Sequence, residues 1–184
     1  MTRSVTTRRG GRALACLVAT LASLGSAGGC EDPVRDAEAA ALGPEQPGIP
    51  RGPLHRSGQP CLVCHADGGR ASPSFAMAGT VFADADTAVP INQATVVLQD
   101  SAGHTQIVAT NCAGNFMLQP DELTLQYPIW ATVQGAGQTI DMESPIYREG
   151  SCASCHSDPR GPASAGHVFL LANPQPLPAR FHCP

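Results

Sequence analysis

Two short stretches limit what this chain can become: Cys61-Leu-Val-Cys-His65 and Cys152-Ala-Ser-Cys-His156. Each sets two thiols three residues apart with an imidazole directly after them. Residues at i and i+3 share one face of a helical turn. The two thiols of each stretch can therefore meet the same edge of one object. Six of the 184 residues are histidine, so a histidine after any given C-x-x-C is expected about 3% of the time in a shuffled chain. Coincidence at both places is a poor explanation.

The pattern is the one that attaches c-type haem: two thiols add across the two vinyl groups of a porphyrin, and the histidine ligates the iron. On these residues the chain resembles a dihaem c-type cytochrome. The resemblance implies two covalent haems, on Cys61 and Cys64 and on Cys152 and Cys155, with His65 and His156 as proximal ligands. Candidate distal ligands are His55, His167 and His182, with Met77 and the hairpin residue His104 behind them. A second histidine would hold the potential low and a methionine would raise it. The implied function is electron transfer, not catalysis. A structural zinc site or two local disulfides would use the same cysteines and leave a non-haem cell-surface binding module. A zinc ribbon, however, wants its pairs about 15–20 residues apart, and Cys64 and Cys152 have 87 residues between them. A third possibility is a peroxidase-like haem protein with an open sixth position.

The remaining chemistry is sparse. No G-x-S-x-G, H-E-x-x-H or phosphate loop is present, and the carboxylates are scattered. Asp84-Ala-Asp86 reads as a solvated turn. Aromatic residues make up 4% of the chain, so a large apolar cofactor would add usefully to a modest core.

Residues 1–29 read as an export signal: four early arginines, an apolar run from Ala13 to Leu24, then small residues. The run is too short to span a bilayer. Ala27-Gly-Gly-Cys30 resembles a bacterial lipobox, which implies a lipid on Cys30; ordinary cleavage near Gly29 is the alternative. The expected location is beyond the bacterial inner membrane, as a periplasmic or cell-surface lipoprotein. Residues 30–59 are rich in proline, glycine, alanine and charge, and are expected to form a disordered linker. Beyond residue 29, seven arginines face fifteen carboxylates, a net charge of −8. That excludes a nucleic-acid partner and suits a cationic redox protein.

From residue 60 to 184 the pattern changes to short period-two runs separated by turn residues: 78–82, 94–99, 105–110, 115–118, 127–133, 139–142 and 166–171. In the second run Ala94, Val96 and Leu98 fall on one side; in the fifth, Ile129, Ala131 and Val133 do. The expectation is a single all-β sandwich of about seven strands, with the haem motifs on flanking loops. Gly79-Thr-Val81, Val89-Pro-Ile-Asn-Gln-Ala-Thr-Val-Val-Leu98 and Thr110-Asn-Cys-Ala-Gly-Asn-Phe116 resemble the carboxypeptidase regulatory-like, or prealbumin-like, domain. That resemblance implies a Greek-key sandwich that serves as scaffold or binding module. A faint internal repeat surrounds the motifs: each is followed by a small-residue loop and then by Ala-Gly, at Ala78-Gly79 and at Ala165-Gly166. Cys112 and Cys183 are left over and are expected to pair, stapling the C-terminal tail to the sandwich.

Overall fold

The period-two runs become strands. In a computed structural model, which describes residues 32–45 and 47–171, six strands form two antiparallel sheets. They are β1 (Met77–Thr80), β2 (Thr95–Asp100), β3 (Thr105–Ala109), β4 (Asn115–Leu118), β5 (Ile129–Gly135) and β6 (Gln138–Asp141). β1 pairs with β4; the larger sheet runs β3-β2-β5-β6. The helices are short, α1 (Pro33–Ala41) and α2 (Leu62–His65), with a single 3-10 turn at Cys152–Ser154. The chain is of the all-β class.

Alternation puts the expected side chains inside. Val96 and Leu98 of β2 are buried, and Val97 and Gln99 between and beyond them are not. Register carries this across the sheet: Val96 lies opposite Val133 and Leu98 opposite Ala131. These residues share one core with Met77, Val81, Phe116 and Leu118 on the other side, so the two sheets pack face to face.

Two turns are closed by side chains at positions the sequence marks. Asp100 Oδ1 accepts from the backbone N–H of Ala102 at 2.9 Å and of His104 at 3.0 Å. Asn111 Oδ1 accepts from Ala113 at 2.9 Å and Asn115 at 3.1 Å. Such local bonds favour turns over ladder pairing.

Two expectations change. Among the described residues there are six strands, and the expected seventh at 166–171 is a tied segment. Phe82 N–H donates to Val168 O at 2.8 Å and Leu170 N–H to Phe82 O at 3.1 Å, but only one bridge forms, between Phe82 and Phe169.

The second change concerns 30–59, expected as a disordered linker. From Pro33 onward the described chain forms one compact unit. Residues 33–41 form α1, with proline at its first position, where the missing N–H costs nothing. Alanines follow, and Gly43 ends the helix at φ +67°. Low apolar content hid a segment held by polar contacts. Asn111 Nδ2 donates to Pro53 O at 2.7 Å, Asn115 Nδ2 to His55 O at 3.1 Å and Ser57 Oγ to Ala113 O at 2.9 Å.

The export signal over 1–29 and Cys30, His182 and Cys183 lie outside the described residues. Cys112 is disulfide-bonded. Among the described residues no helix is long and apolar enough to cross a membrane.

Candidate functional site

Each C-x-x-C-H folds as one helical turn. In the first, Cys61 has helical backbone angles ahead of α2, and His65 N–H donates to Cys61 O at 2.9 Å. In the second, the 3-10 turn begins at Cys152, and His156 N–H donates to Cys152 O at 2.8 Å. The thiols of each pair therefore stand one turn apart, as the motif requires. All four are free thiols, with Cys155 exposed and the others part-buried.

The two histidines are held alike. His65 Nδ1 lies 2.6 Å from Pro73 O, and His156 Nδ1 lies 2.7 Å from Gly166 O. A carbonyl oxygen can only accept, so Nδ1 carries the hydrogen in both rings. When such a ring is neutral, Nε2 keeps the lone pair, the form that binds a metal. The preceding cysteines match as well: Cys64 O accepts from Ala71 N–H at 2.9 Å, and Cys155 O from Ala165 N–H at 2.7 Å. The two motifs thus share a set of hydrogen bonds, but the residues that match Ala165 and Gly166 are Ala71 and Pro73, not the Ala78-Gly79 that the sequence repeat aligned with them.

The strand β1 joins the two motifs. Ala78 N–H donates to Gly150 O at 2.9 Å, just before the second motif. Gly58, just before the first, donates its N–H to Thr80 Oγ1 at 2.8 Å. Gly58 O in turn accepts from Asp158 N–H at 2.9 Å, just after the second motif. Burial is the main cause that pushes the Cys61 thiol up to about 11. Burial, then the nearby Cys61, pushes Cys152 up to about 12. A thiol–disulfide catalyst needs the opposite, a lowered pKa. The raised values favour the protonated form of Cys61 and Cys152.

A cleft of about 890 Å³ opens beside the first motif, within the usual range of about 300–1,000 Å³ for ligand sites. Cys61, Cys64 and His65 border it, with apolar Ala39, Phe75 and Met117. Phe75 stacks on His65, ring centres 4.6 Å apart at 24°. Arg51, Arg56 and Arg70 also border the cleft. Arg70 is steadied by Asp36 of α1 at 3.6 Å.

The distal candidates separate. His55 borders the cleft, its ring centre 5.9 Å from that of His65. His167 is engaged elsewhere: Nε2 lies 2.9 Å from Asp158 Oδ1, and the ring packs on Phe82 with centres 4.4 Å apart. In that arrangement its Nε2 is not free for a metal. His104 sits on the β2–β3 turn with Nδ1 3.0 Å from Asp100 Oδ2. Met77 is fully buried in the core.

Sequence reading missed the carbonyls of Pro73 and Gly166, the stacking of Phe75, the arginine rim and the His167–Asp158 tie. The first two oxygens belong to the backbone and have no side-chain signature; the repeated small-residue loops were their only trace. Among the described residues no three His, Cys, Asp or Glu side chains converge as a bare metal ion would need. Covalent haem asks for a different layout, with thiols along a porphyrin edge and one imidazole facing the iron. Comparison of the chain with family models, curated proteins and solved structures finds no match in any of the three.

Proposed function

We propose that this protein is an exported dihaem c-type cytochrome that relays single electrons to and from an external partner. The observation that carries the reading is the shared state of His65 and His156. Each is fixed by a backbone carbonyl at Nδ1, 2.6 and 2.7 Å away, with Nε2 left as the ligating nitrogen.

Cys61, Cys64 and His65 would hold one haem, and Cys152, Cys155 and His156 the other. Bound haem supplies a one-electron couple at iron. The chain's own residues do the rest. Pro73 O and Gly166 O fix the imidazoles. Phase of the two helical turns sets each pair of thiols along one edge. Arg51, Arg56 and Arg70 offer guanidinium groups suited to a haem's propionates. The hydrogen bonds between β1 and the segments that precede the two motifs, Ala78 with Gly150 and Thr80 with Gly58, support exchange between the two haems. A net charge of −8 beyond residue 29 favours a cationic redox partner, and a lipid on Cys30 would tether the molecule to a membrane.

We read the scaffold as prealbumin-like. Support comes from the pairing of two of the family's signature pieces: Gly79 of Gly79-Thr-Val81 lies opposite Phe116 of Gly114-Asn-Phe116.

The deciding experiment is a visible spectrum and a denatured intact mass of the exported protein, made in a host with c-type haem maturation. Two covalent haems are expected. A colourless protein of bare polypeptide mass overturns the reading.

A further inference from the structure

The geometry points to His55 as the second axial ligand of the first attachment site, which makes that site bis-imidazole and closed to small ligands. This rests on the dihaem reading above.

The ring centres of His55 and His65 are 5.9 Å apart and their planes meet at 68°. Two imidazoles that share one metal, each bonded at about 2 Å, have ring centres about 6 Å apart. The centre-to-centre spacing of the pair therefore matches that of two imidazoles on opposite sides of one metal. Both rings border the cleft that Cys61 and Cys64 line.

His55 also carries an unmet need. Its Nδ1 is buried and has no hydrogen-bond partner, a costly state for a polar atom. Glu45 Oε1 lies 3.6 Å from it, slightly beyond hydrogen-bond reach. A shift of a few tenths of an ångström lets Nδ1–H donate to that carboxylate, and Nε2 is then free to ligate. This is the division of roles that Pro73 O imposes on His65, with a carboxylate in place of a carbonyl. Glu45 is thus a positioning residue.

The backbone that carries His55 is anchored. Its N–H donates to Gly52 O at 3.2 Å, and its carbonyl accepts from Asn115 Nδ2 at 3.1 Å. A ligand on a free tether would pay to be ordered on binding; this one is held beforehand by β4.

The test uses the full chain exported with haem maturation, as wild type, His55→Ala and His55→Met. Denatured mass counts covalent haems, electron paramagnetic resonance reads iron spin state, and carbon monoxide titrates open ferrous sites. The expected wild type has two haems, one of them low-spin and unreactive to carbon monoxide. In His55→Ala one further haem per molecule turns high-spin and binds carbon monoxide, and added imidazole restores the low-spin signal. In His55→Met the same haem shows a methionine-ligated spectrum and a raised potential. If both variants keep the wild-type spin states and carbon monoxide stoichiometry, the assignment is overturned. Should His55→Ala lose the first haem, the spectrum of His55→Met decides by the same criteria. A wild type without covalent haem instead overturns the cytochrome reading itself.

Discussion

Gly79 lies directly against Cys152: a methyl group on Gly79 would stand 2.8 Å from both Cβ and Sγ of that cysteine, and 2.9 Å from the ring of Phe116. No methyl fits without moving one of them. Gly79→Ala is expected to cost about 1–3 kcal/mol through overpacking. It should also displace the first thiol of the second motif and leave the first motif intact. Urea unfolding gives the stability, and intact mass of the exported protein gives the haem count. Wild-type stability with full loading of both sites would refute the packing.

The part-buried thiols of Cys61 and Cys152 should resist alkylation in folded polypeptide that carries no haem. At pH 8 a thiol pushed up to about 11, as Cys61 is, or to about 12, as Cys152 is, has very little thiolate. Thiolate is the reacting form. Iodoacetamide followed by peptide mass mapping should label the exposed Cys155 first. Cys61 and Cys152 should lag by about a hundredfold or more, and the lag should vanish in urea. Equal labelling rates in the folded protein would count against their burial.

Leu98 and Gln99 are neighbours on β2 with opposite surroundings, one fully buried and the other exposed. Leu98→Ala should lower stability by about 2–5 kcal/mol, and Gln99→Ala should stay within about 0.5 kcal/mol of wild type. Comparable losses from the two would mean the strand is slipped by one residue.

Asp84 gives stability a defined pH response. Thr87 Oγ1 donates to its carboxylate at 2.7 Å, and the backbone N–H groups of Asp86 and Thr87 donate at 2.9 and 2.8 Å. The Thr87 hydroxyl leads in holding this carboxyl below its ordinary value, against the opposing effect of burial. A lowered folded-state pKa means that the contribution is complete above the unfolded value of about 3.9 and fades as pH falls through the folded one. Asp84→Asn should cost about 1 kcal/mol at pH 6. The gap to wild type should narrow below pH ~4. Denaturant titrations at pH 6, 4 and 3 would show it; a gap that widens in acid would reverse the assignment.

The strands were legible in the sequence because a half-buried sheet writes its pattern directly into alternate residues. Val96 and Leu98 inside, Val97 and Gln99 outside, are visible before any coordinates. The two C-x-x-C-H turns were legible for a related reason: the pattern lies in side-chain identity at fixed local spacing. What could not be read was anything set by backbone groups or by distant segments meeting. Pro73 O and Gly166 O look like any other carbonyls. The segment from Pro33 to Gln59 reads as a tether because its docking uses carbonyls, arginines and asparagines where a hydrophobic stripe would have been recognised. Histidine partners were also beyond reach: His55 and His167 look equal in the sequence, and only folding gives Asp158 to one and the cleft to the other.

The walls of the cleft at Cys61 come from parts of the chain that are synthesised at different times. Cys61 and His55 precede Asn115 and Met117 of β4, which border the same space. The thiols are therefore made before the strand that walls the space beside them, and the cleft is complete only once β4 has paired with β1. Under the proposed reading, a porphyrin joined to the first motif before that pairing would become part of the surface on which β4 settles, and one joined afterwards would have to enter a finished cleft.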